Sequence, residues 1–511
     1  MPSYRISLCP PAVCLVWAGL LAWCFLSPAL AQMPGPAGSY LEDYNGDGKV
    51  SISDVIALLL LSREDPQDPR VDYNGDGKFS ISDAIALLIN IRDGNLHPLE
   101  EPAADHWQVI GPGGGGAMFV PAVDPFDPAH YFVVCDMTGA YVTFDDGVSW
   151  RMFNLRTRVQ DIEFDPTSQG TVYAANTGLY RSEDGGVRWR LVYPDPSQII
   201  SEQMVGDHAE QWYETTDGMP DAEIDKIRVD PADGDHLYLG LHPRWDGPAR
   251  LLVSSDRGAD WRVVCSLEGG SVLAIFPGSW WDNPDKVTVV TEEACLRISE
   301  SSGEVTSLEL PAAPLLCADG GRGEEGAAVY ILSGMWWSGK DLLGGVYRSD
   351  DGCSSWTPVS AGLVKGISST MDAPSFNVLA ACRNRPEIVY LSCESTPATS
   401  DVPYYYGIYK TTDKGETWSW ALKADWNSYV SNNYSESWLT RSYGTGYSGS
   451  PNGLGVCPTD PDVCLASDGH SFRTADGGET WQTVYSNDMG GGAYSSRGLD
   501  VTTCYGVHFD P

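Results

Sequence analysis

The octapeptide Thr411-Thr412-Asp413-Lys414-Gly415-Glu416-Thr417-Trp418 fits a pattern, Ser/Thr-x-Asp-x-Gly-x-x-Trp, that this chain repeats. Further clean copies are Thr143–Trp150, Ser182–Trp189, Ser254–Trp261 and Thr474–Trp481; a sixth, Ser349–Trp356, keeps Asp351 and Trp356 but has Cys353 at the glycine position. Each copy, an Asp box below, reads as a tight turn between two strands. The Asp accepts hydrogen bonds from turn amides, the Gly takes a backbone angle that side chains resist, and the Trp folds back as an apolar lid. Working outward, a Pro-centred turn leads into an apolar strand at Asp124-Pro125, Asp165-Pro166 and Asp230-Pro231, and in related form at Asn384–Tyr390 and Cys457–Leu465. The recurring unit is strand, Asp-Pro turn, strand, Asp box, strand. Units of roughly 40 to 60 residues made of short strands predict an all-β β-propeller. With divergent units starting near Ser271 and Ala327, residues 106–511 make about seven blades.

A different repeat lies upstream. Asp43-Tyr44-Asn45-Gly46-Asp47-Gly48-Lys49-Val50-Ser51-Ile52-Ser53-Asp54 returns as Asp72-Tyr73-Asn74-Gly75-Asp76-Gly77-Lys78-Phe79-Ser80-Ile81-Ser82-Asp83. Oxygen donors at positions 1, 3, 5, 9 and 12, a carbonyl at 7 and a glycine at 6 are the ligand spacing for a hard Ca²⁺ ion. The expected ligands are Asp43, Asn45, Asp47, Lys49 (by its carbonyl), Ser51 and Asp54, then Asp72, Asn74, Asp76, Lys78 (likewise), Ser80 and Asp83. Each loop runs into one apolar helix, so residues 42–94 are expected to form a small α-helical domain holding two Ca²⁺ ions.

The termini and composition set the setting. Residues 1–31 have the order of a secretory signal: Arg5, the apolar run Ala12–Leu26, and Ala29-Leu30-Ala31 before Gln32. Residues 95–105 read as a polar, Pro-containing linker. A net charge of −37, from 69 acidic against 32 basic residues, argues against nucleic acid or an anionic membrane surface as partner. The cysteines beyond the signal read as structural, with Cys382–Cys393 and Cys457–Cys464 as candidate cross-hairpin pairs.

The Asp boxes resemble the bacterial neuraminidase repeat of sialidases, sortilin-like receptors and family 74 glycoside hydrolases, a likeness that implies architecture rather than activity. The paired loops, each with one following helix, resemble a dockerin module. That resemblance implies docking onto a cohesin-like domain through loop positions 10 and 11 and the following helix, with Ile52, Ser53, Ile81 and Ser82 at those loop positions. Near-identical halves imply two docking orientations. Dockerins usually follow the domain they carry, whereas this one precedes it.

A narrower resemblance runs from Trp107 through Gly113–Gly116 to Cys135-Asp136-Met137-Thr138-Gly139-Ala140-Tyr141, which is similar to the opening of family 74 xyloglucanases. It implies Asp136 as a catalytic carboxylate. Glycosidases need two carboxyl groups across the scissile bond, and the position matching the second falls on Gly453, beside Asn452. The aromatic stretch from Val402 to Gly453 suits sugar binding, with Trp426, Trp438 and Tyr443 as candidate contacts. The three substrate-gripping arginines of a sialidase and a Gly-x-Ser-x-Gly elbow are missing. Two functions remain open: a secreted, dockerin-bearing glycoside hydrolase acting on β-glucan or xyloglucan, and a non-catalytic propeller binding glycan or protein at the cell surface.

Overall fold

A computed structural model describes residues 42, 44, 50–64, 71, 73, 80–93, 118–135, 139–206, 210–219, 222–243, 247–364, 366–397, 404–425, 451–467, 471–490 and 493–499. The chain divides into two compact units, Met1–Gln108 and Val109–Pro511.

In the first unit, helices α1 (Ile52–Glu64) and α2 (Ile81–Asp93) share a core of Val55, Leu58, Val71, Ala84 and Leu87. Both begin on the same cap. The Ser51 hydroxyl accepts the Ser53 amide at 3.2 Å while Asp54 accepts the Ser51 amide at 2.8 Å, and Ser80, Ser82 and Asp83 repeat the arrangement. These are reciprocal capping boxes. Arg63 and Arg92 lie in the last turns, where a cation meets the negative end of the helix dipole.

In the second unit, seven four-stranded antiparallel sheets are found among the described residues, each formed by strands consecutive in sequence. These are blades 1 (118–154), 2 (161–193), 3 (222–267), 4 (272–308), 5 (315–358), 6 (375–425) and 7 (453–483). Burial explains the strand sequences. Second strands such as Tyr131–Cys135 and Val172–Ala175 are wholly buried and read as continuous apolar runs, whereas the fourth strand Arg151–Asn154 is mostly exposed. Blade 5 begins at Leu315, not near Ala327, which sits inside its second strand, Gly326–Ser338.

All six Asp boxes connect the third and fourth strands of blades 1, 2, 3, 5, 6 and 7. In the box of blade 6, Thr411 Oγ1 accepts the Gly415 amide at 2.9 Å, and Asp413 accepts the Thr417 amide at 2.8 Å and its hydroxyl at 2.6 Å. Burial pushes the Asp413 carboxyl up, but these donors outweigh it and hold the group below its ordinary value. Two successive residues take left-handed angles, Lys414 at φ +58° and Gly415 at +85°. At Gly415 a side chain would also press on Val359 of blade 5.

The boxes bind blade to blade in two directions. The indole N–H reaches back: Trp261 to the Val192 carbonyl, Trp356 to Glu309, Trp418 to Val359, Trp481 to Ala421, and Trp150 to Val484. From the preceding blade, a donor reaches forward to the carbonyl of the first left-handed residue. Arg181 bonds Arg257, Arg297 bonds Gly352, Arg348 bonds Lys414, Lys410 bonds Gly477, and His130 Nε2 contacts the Gly185 carbonyl. Between blades 7 and 1, Arg473 pairs with the Asp146 carboxylate at 2.9 Å. The ring closes there without a shared blade, over a core of Met118, Val133, Trp150, Leu465 and Val484. Arg497, after the hairpin Ser486–Gly490/Ala493–Ser496, accepts the Trp150 amide through its carbonyl.

Blade 4 has no Asp box. Its turn at Ser299-Glu300-Ser301 is pinned instead by Asp285, which accepts the Ser299 hydroxyl at 2.7 Å and the Ser301 amide at 3.0 Å.

Trp481 is 1 % exposed, whereas Trp189 is half-buried and bonds within its own box. Trp481→Ala is therefore expected to cost about 3–5 kcal/mol in denaturant unfolding, and Trp189→Ala clearly less. Equal losses would contradict the interblade role.

Candidate functional site

Two regions of the propeller gather chemistry. The first is the central channel, about 830 Å³ in volume and lined by all seven innermost strands. Its acids are largely consumed by the ring. Asp161 of blade 2 accepts the Ile227 amide of blade 3 at 3.0 Å and pairs with Lys226 at 3.2 Å. Asp319 of blade 5 accepts the Ala381 amide of blade 6 at 2.9 Å, and Asp225, on the inner strand of blade 3 but outside the channel lining, accepts the Val272 amide of blade 4 at 2.8 Å. Each carboxylate thus ties one inner strand to the next.

Glu163 reaches further. Arg228 of blade 3 donates to both of its oxygens at 3.0 and 3.1 Å, and Arg383, after the first strand of blade 6, adds a two-pronged contact at 3.1 and 3.2 Å. Burial pushes the Glu163 carboxyl up, to about 7, while the Arg228 guanidinium pulls it down. With both oxygens clamped by guanidinium groups, Glu163 acts as a bridge across the bore.

The second region is one face of the ring. The Asp boxes and the turns between first and second strands share a face, where Asp146 bonds Ala129, Gly185 bonds Gly170, and Gly477 bonds Asp462 through backbone groups. Alternating strand direction puts every other connection on the opposite face. That face is the elaborated one. It carries the hairpin Ile199–Val205/Glu210–Thr215, the extension of blade 5 around Trp336 and Leu343, and the chain leaving the blade 6 strand Ser419–Asp425. Trp336 is 43 % exposed and Tyr404 37 %. Nearby, Tyr409 stacks on Trp420 at 3.8 Å, and Lys423 Nζ lies 3.7 Å from the Tyr405 ring centre.

The expected sites map onto these regions unevenly. Asp136, Trp426, Trp438 and Tyr443 lie outside the described residues. Their described neighbours do not: Cys135, Gly139, Asp425 and Gly453 end strands at the elaborated face, on blades 1, 6 and 7. The position matching the second carboxylate is explained sterically. A Cβ on Gly453 would come 2.6 Å from Pro121 Cδ and 2.9 Å from Ser467 Oγ, because the inner strands of blades 7 and 1 close the ring there. Asp460 and Asp462 are turn residues, as their sequence suggests: Asp460 accepts the Asp462 amide at 3.1 Å. Trp280 of blade 4 is core, packed on Phe276, and its neighbour Trp281 lies against the blade 5 box.

The expected disulfides do not form among the described residues. Cys382 sits opposite Arg385 while Cys393 sits opposite Phe376, near the other end of the strand pair. Cys457 and Cys464 belong to different cores on the two faces of blade 7.

In the first unit, Asp43, Asn45, Asp47, Lys49, Asp72, Asn74, Asp76 and Lys78 lie outside the described residues, and those that are described bring together no three His, Cys, Asp or Glu side chains. Ser51, Asp54, Ser80 and Asp83 are described. Asp54 and Asp83 are both fully buried, each accepting the amide that caps its helix, and a buried carboxylate is held by such donors and by opposite charge. Their donor chemistry fits a hard cation. Ile52 and Ile81 are exposed and Ser53 and Ser82 half-buried. The exposed apolar surface runs on along each helix: Ile52, Ile56 and Leu60 on α1 are repeated by Ile81, Ile85 and Ile89 on α2. Spacing of four residues puts each set on one helix face, a signal present in the sequence.

No protein-family model and no curated protein matches this sequence. The solved structures similar to it include three enzymes of glycoside hydrolase family 74. A xyloglucanase from Xanthomonas campestris has a TM-score of 0.52 at 16% identity, covering 75% of this chain and 57% of its own. An ancestral family 74 enzyme gives 0.53 at 17%, covering 78% and 51%, and a Niastella koreensis enzyme 0.51 at 14%, covering 75% and 57%. At these identities the likeness is one of fold, and this chain spans little more than half the length of those proteins.

Burial raises the Asp225 carboxyl from its ordinary 3.8 to about 6. A raised acid contributes stability that is present below pH 3.8 and lost as pH rises through about 6. Asp225→Asn, which still accepts the Val272 amide, should flatten the fall in Tm between pH 4 and pH 6 (on the order of the pKa window). An unchanged pH profile would show that the group is not proton-linked to folding.

Proposed function

We propose that this protein is a polysaccharide-directed propeller that engages β-glucan or xyloglucan chains at its elaborated face. The observation carrying this reading is the convergence of strand ends on that face. The Cys135–Gly139 connection, whose sequence resembles the family 74 motif, and the aromatic segment after Asp425 leave the ring on the same side, from blades 1 and 6. Insertions of differing length on a rigid scaffold are where binding usually resides. Aromatic rings there would cover sugar C–H faces and amides would hold hydroxyls. Asp136 would supply the carboxylate that activates water, if hydrolysis occurs. Because the ring crowds Gly453, blade 7 gives that carboxylate no partner at the matching position, and binding with weak or no hydrolysis is the expected behaviour of these 511 residues.

The paired loops and helices support a further element, a dockerin-like module. Asp43, Asn45, Asp47, Ser51 and Asp54, with their counterparts in the second loop, would hold two Ca²⁺ ions, which would neutralise the buried carboxylates and fix the loops to the helices. The twin stripes beginning at Ile52 and Ile81, with Ser53 and Ser82 beside them, would take a cohesin-like domain in either of two orientations. The signal-like residues 1–31 fit a secreted or cell-surface location.

Affinity electrophoresis on xyloglucan should show retardation that the double variant Trp426→Ala, Trp438→Ala abolishes. Reducing-end assays should show weak or no cleavage, with any that occurs lowered by a factor on the order of 10² to 10⁴ in Asp136→Asn. Vigorous hydrolysis indifferent to that substitution would refute the placement of the site. Absence of binding to every β-glucan would refute the substrate class.

Calorimetry should find two bound Ca²⁺ ions. Calcium at about 100 times Kd should stabilise the module by about 2.7 kcal/mol per site, and Asp43→Ala with Asp72→Ala should remove that gain. No uptake of calcium would overturn this part of the reading.

A further inference from the structure

Five Asp boxes carry glycine at their second left-handed position, where a Cβ would in most cases press on the preceding blade: on Val484 from Gly147, Phe132 from Gly186, Val359 from Gly415 and Ala421 from Gly478. Blade 5 alone has a side chain there, Cys353, held at φ +68°. Left-handed angles are unfavourable for residues with a Cβ, so this position carries a conformational cost that its five counterparts avoid. Its direction follows from theirs, toward the preceding blade.

What it meets is a second cysteine. Cys295 opens the third strand of blade 4, Cys295–Ser299, and both residues are fully buried in the core that joins blades 4 and 5. Arg297, two residues on from Cys295, bonds the Gly352 carbonyl beside Cys353, so the third strand of blade 4 lies against this turn, and the Cys295 thiol is close enough to push the Cys353 pKa up. Blade 4 is also the blade without an Asp box, so no box tryptophan ties it back to blade 3; toward blade 5 it is held by the Trp356 and Arg297 bonds and by Arg322 on Asp282. The other cysteines near a blade boundary are directed at backbone: Cys382 Sγ lies 3.3 Å from the Pro458 carbonyl and Cys457 Sγ 3.6 Å from that of Asp124.

We propose that Cys295 and Cys353 are a disulfide-forming pair, a covalent staple between blades 4 and 5. The step is thiol–disulfide exchange. A protein or glutathione disulfide accepts two electrons and two protons from the pair and leaves as two thiols, while one S–S bond forms between Cys295 and Cys353. Burial and the neighbouring thiol push the Cys353 pKa up, so the closed pair resists attack, and exchange belongs to chain assembly in an oxidising setting. This inference stands apart from the polysaccharide reading.

The test uses the full chain, exported through an oxidising compartment and, separately, refolded from the reduced state with oxidised and reduced glutathione. After alkylation in denaturant and digestion without reduction, mass spectrometry is expected to find the Cys295 and Cys353 peptides joined, two hydrogens lighter than the separate thiols, and released by dithiothreitol. Cys353→Gly restores the residue of the other boxes and should fold. Its Tm should be indifferent to dithiothreitol, whereas that of the parent should fall by on the order of 5 °C. Cys295→Ser should lose the cross-link in the same way. Both cysteines alkylated in the exported and the refolded chain, or Cys353 joined to another cysteine, would overturn the proposal.

Discussion

The propeller depends on a reciprocal contact at the Asp box. The box closes a four-residue turn with its own Ser/Thr and Asp, which forces two left-handed residues in succession. That geometry exposes a carbonyl to the preceding blade, and a cation takes it, as Lys410 takes Gly477. The same geometry throws the tryptophan back over the preceding blade, where its N–H finds a carbonyl, as Trp481 finds Ala421. One short motif therefore shapes a hairpin and sets its distance from the next. Each hydrogen bond contributes about 1 kcal/mol net; the larger contribution is the apolar surface the indole covers.

The inner wall follows the same logic with carboxylates. Asp161, Asp225 and Asp319 each accept an amide of the next inner strand, and Glu163 with Arg383 spans the bore. A wall of acids and bases looks like a binding site until the partners are counted. Here the charges hold the ring, and the closure between blades 7 and 1 leaves no room for a side chain at Gly453. Both constraints are the reason the proposed ligand recognition is assigned to the face where the connections are free to lengthen, and not to the axis.

Much of this fold is legible in the sequence because its key element is local. The box, its turn and its lid lie within eight residues, so the five clean copies and the variant at Ser349 announce themselves. Blade 4 was harder to read because the carboxylate pinning its turn, Asp285, comes from the neighbouring hairpin and leaves no contiguous motif. The first strand of blade 5, Leu315–Gly323, hides in the sequence because the more apolar run from Ala327 is its second strand. Contacts between distant residues, such as Glu163 with Arg383 or Cys295 with Cys353, cannot be seen before the ring is closed. Cysteine spacing along the chain favoured Cys382 with Cys393, yet strand register separates that pair. The exposed stripe Ile52, Ile56 and Leu60 is visible in the sequence but is masked by a helix that is apolar on its inner face as well.

The central claim is that ligand binds at the face opposite the Asp boxes. Hydrogen–deuterium exchange with and without a xyloglucan oligosaccharide tests it most directly. Protection is expected in peptides spanning 336–343 and 404–450, with the Asp box peptides of the same blades unchanged. Protection confined to the box turns or to the inner strands around Glu163 would contradict the account.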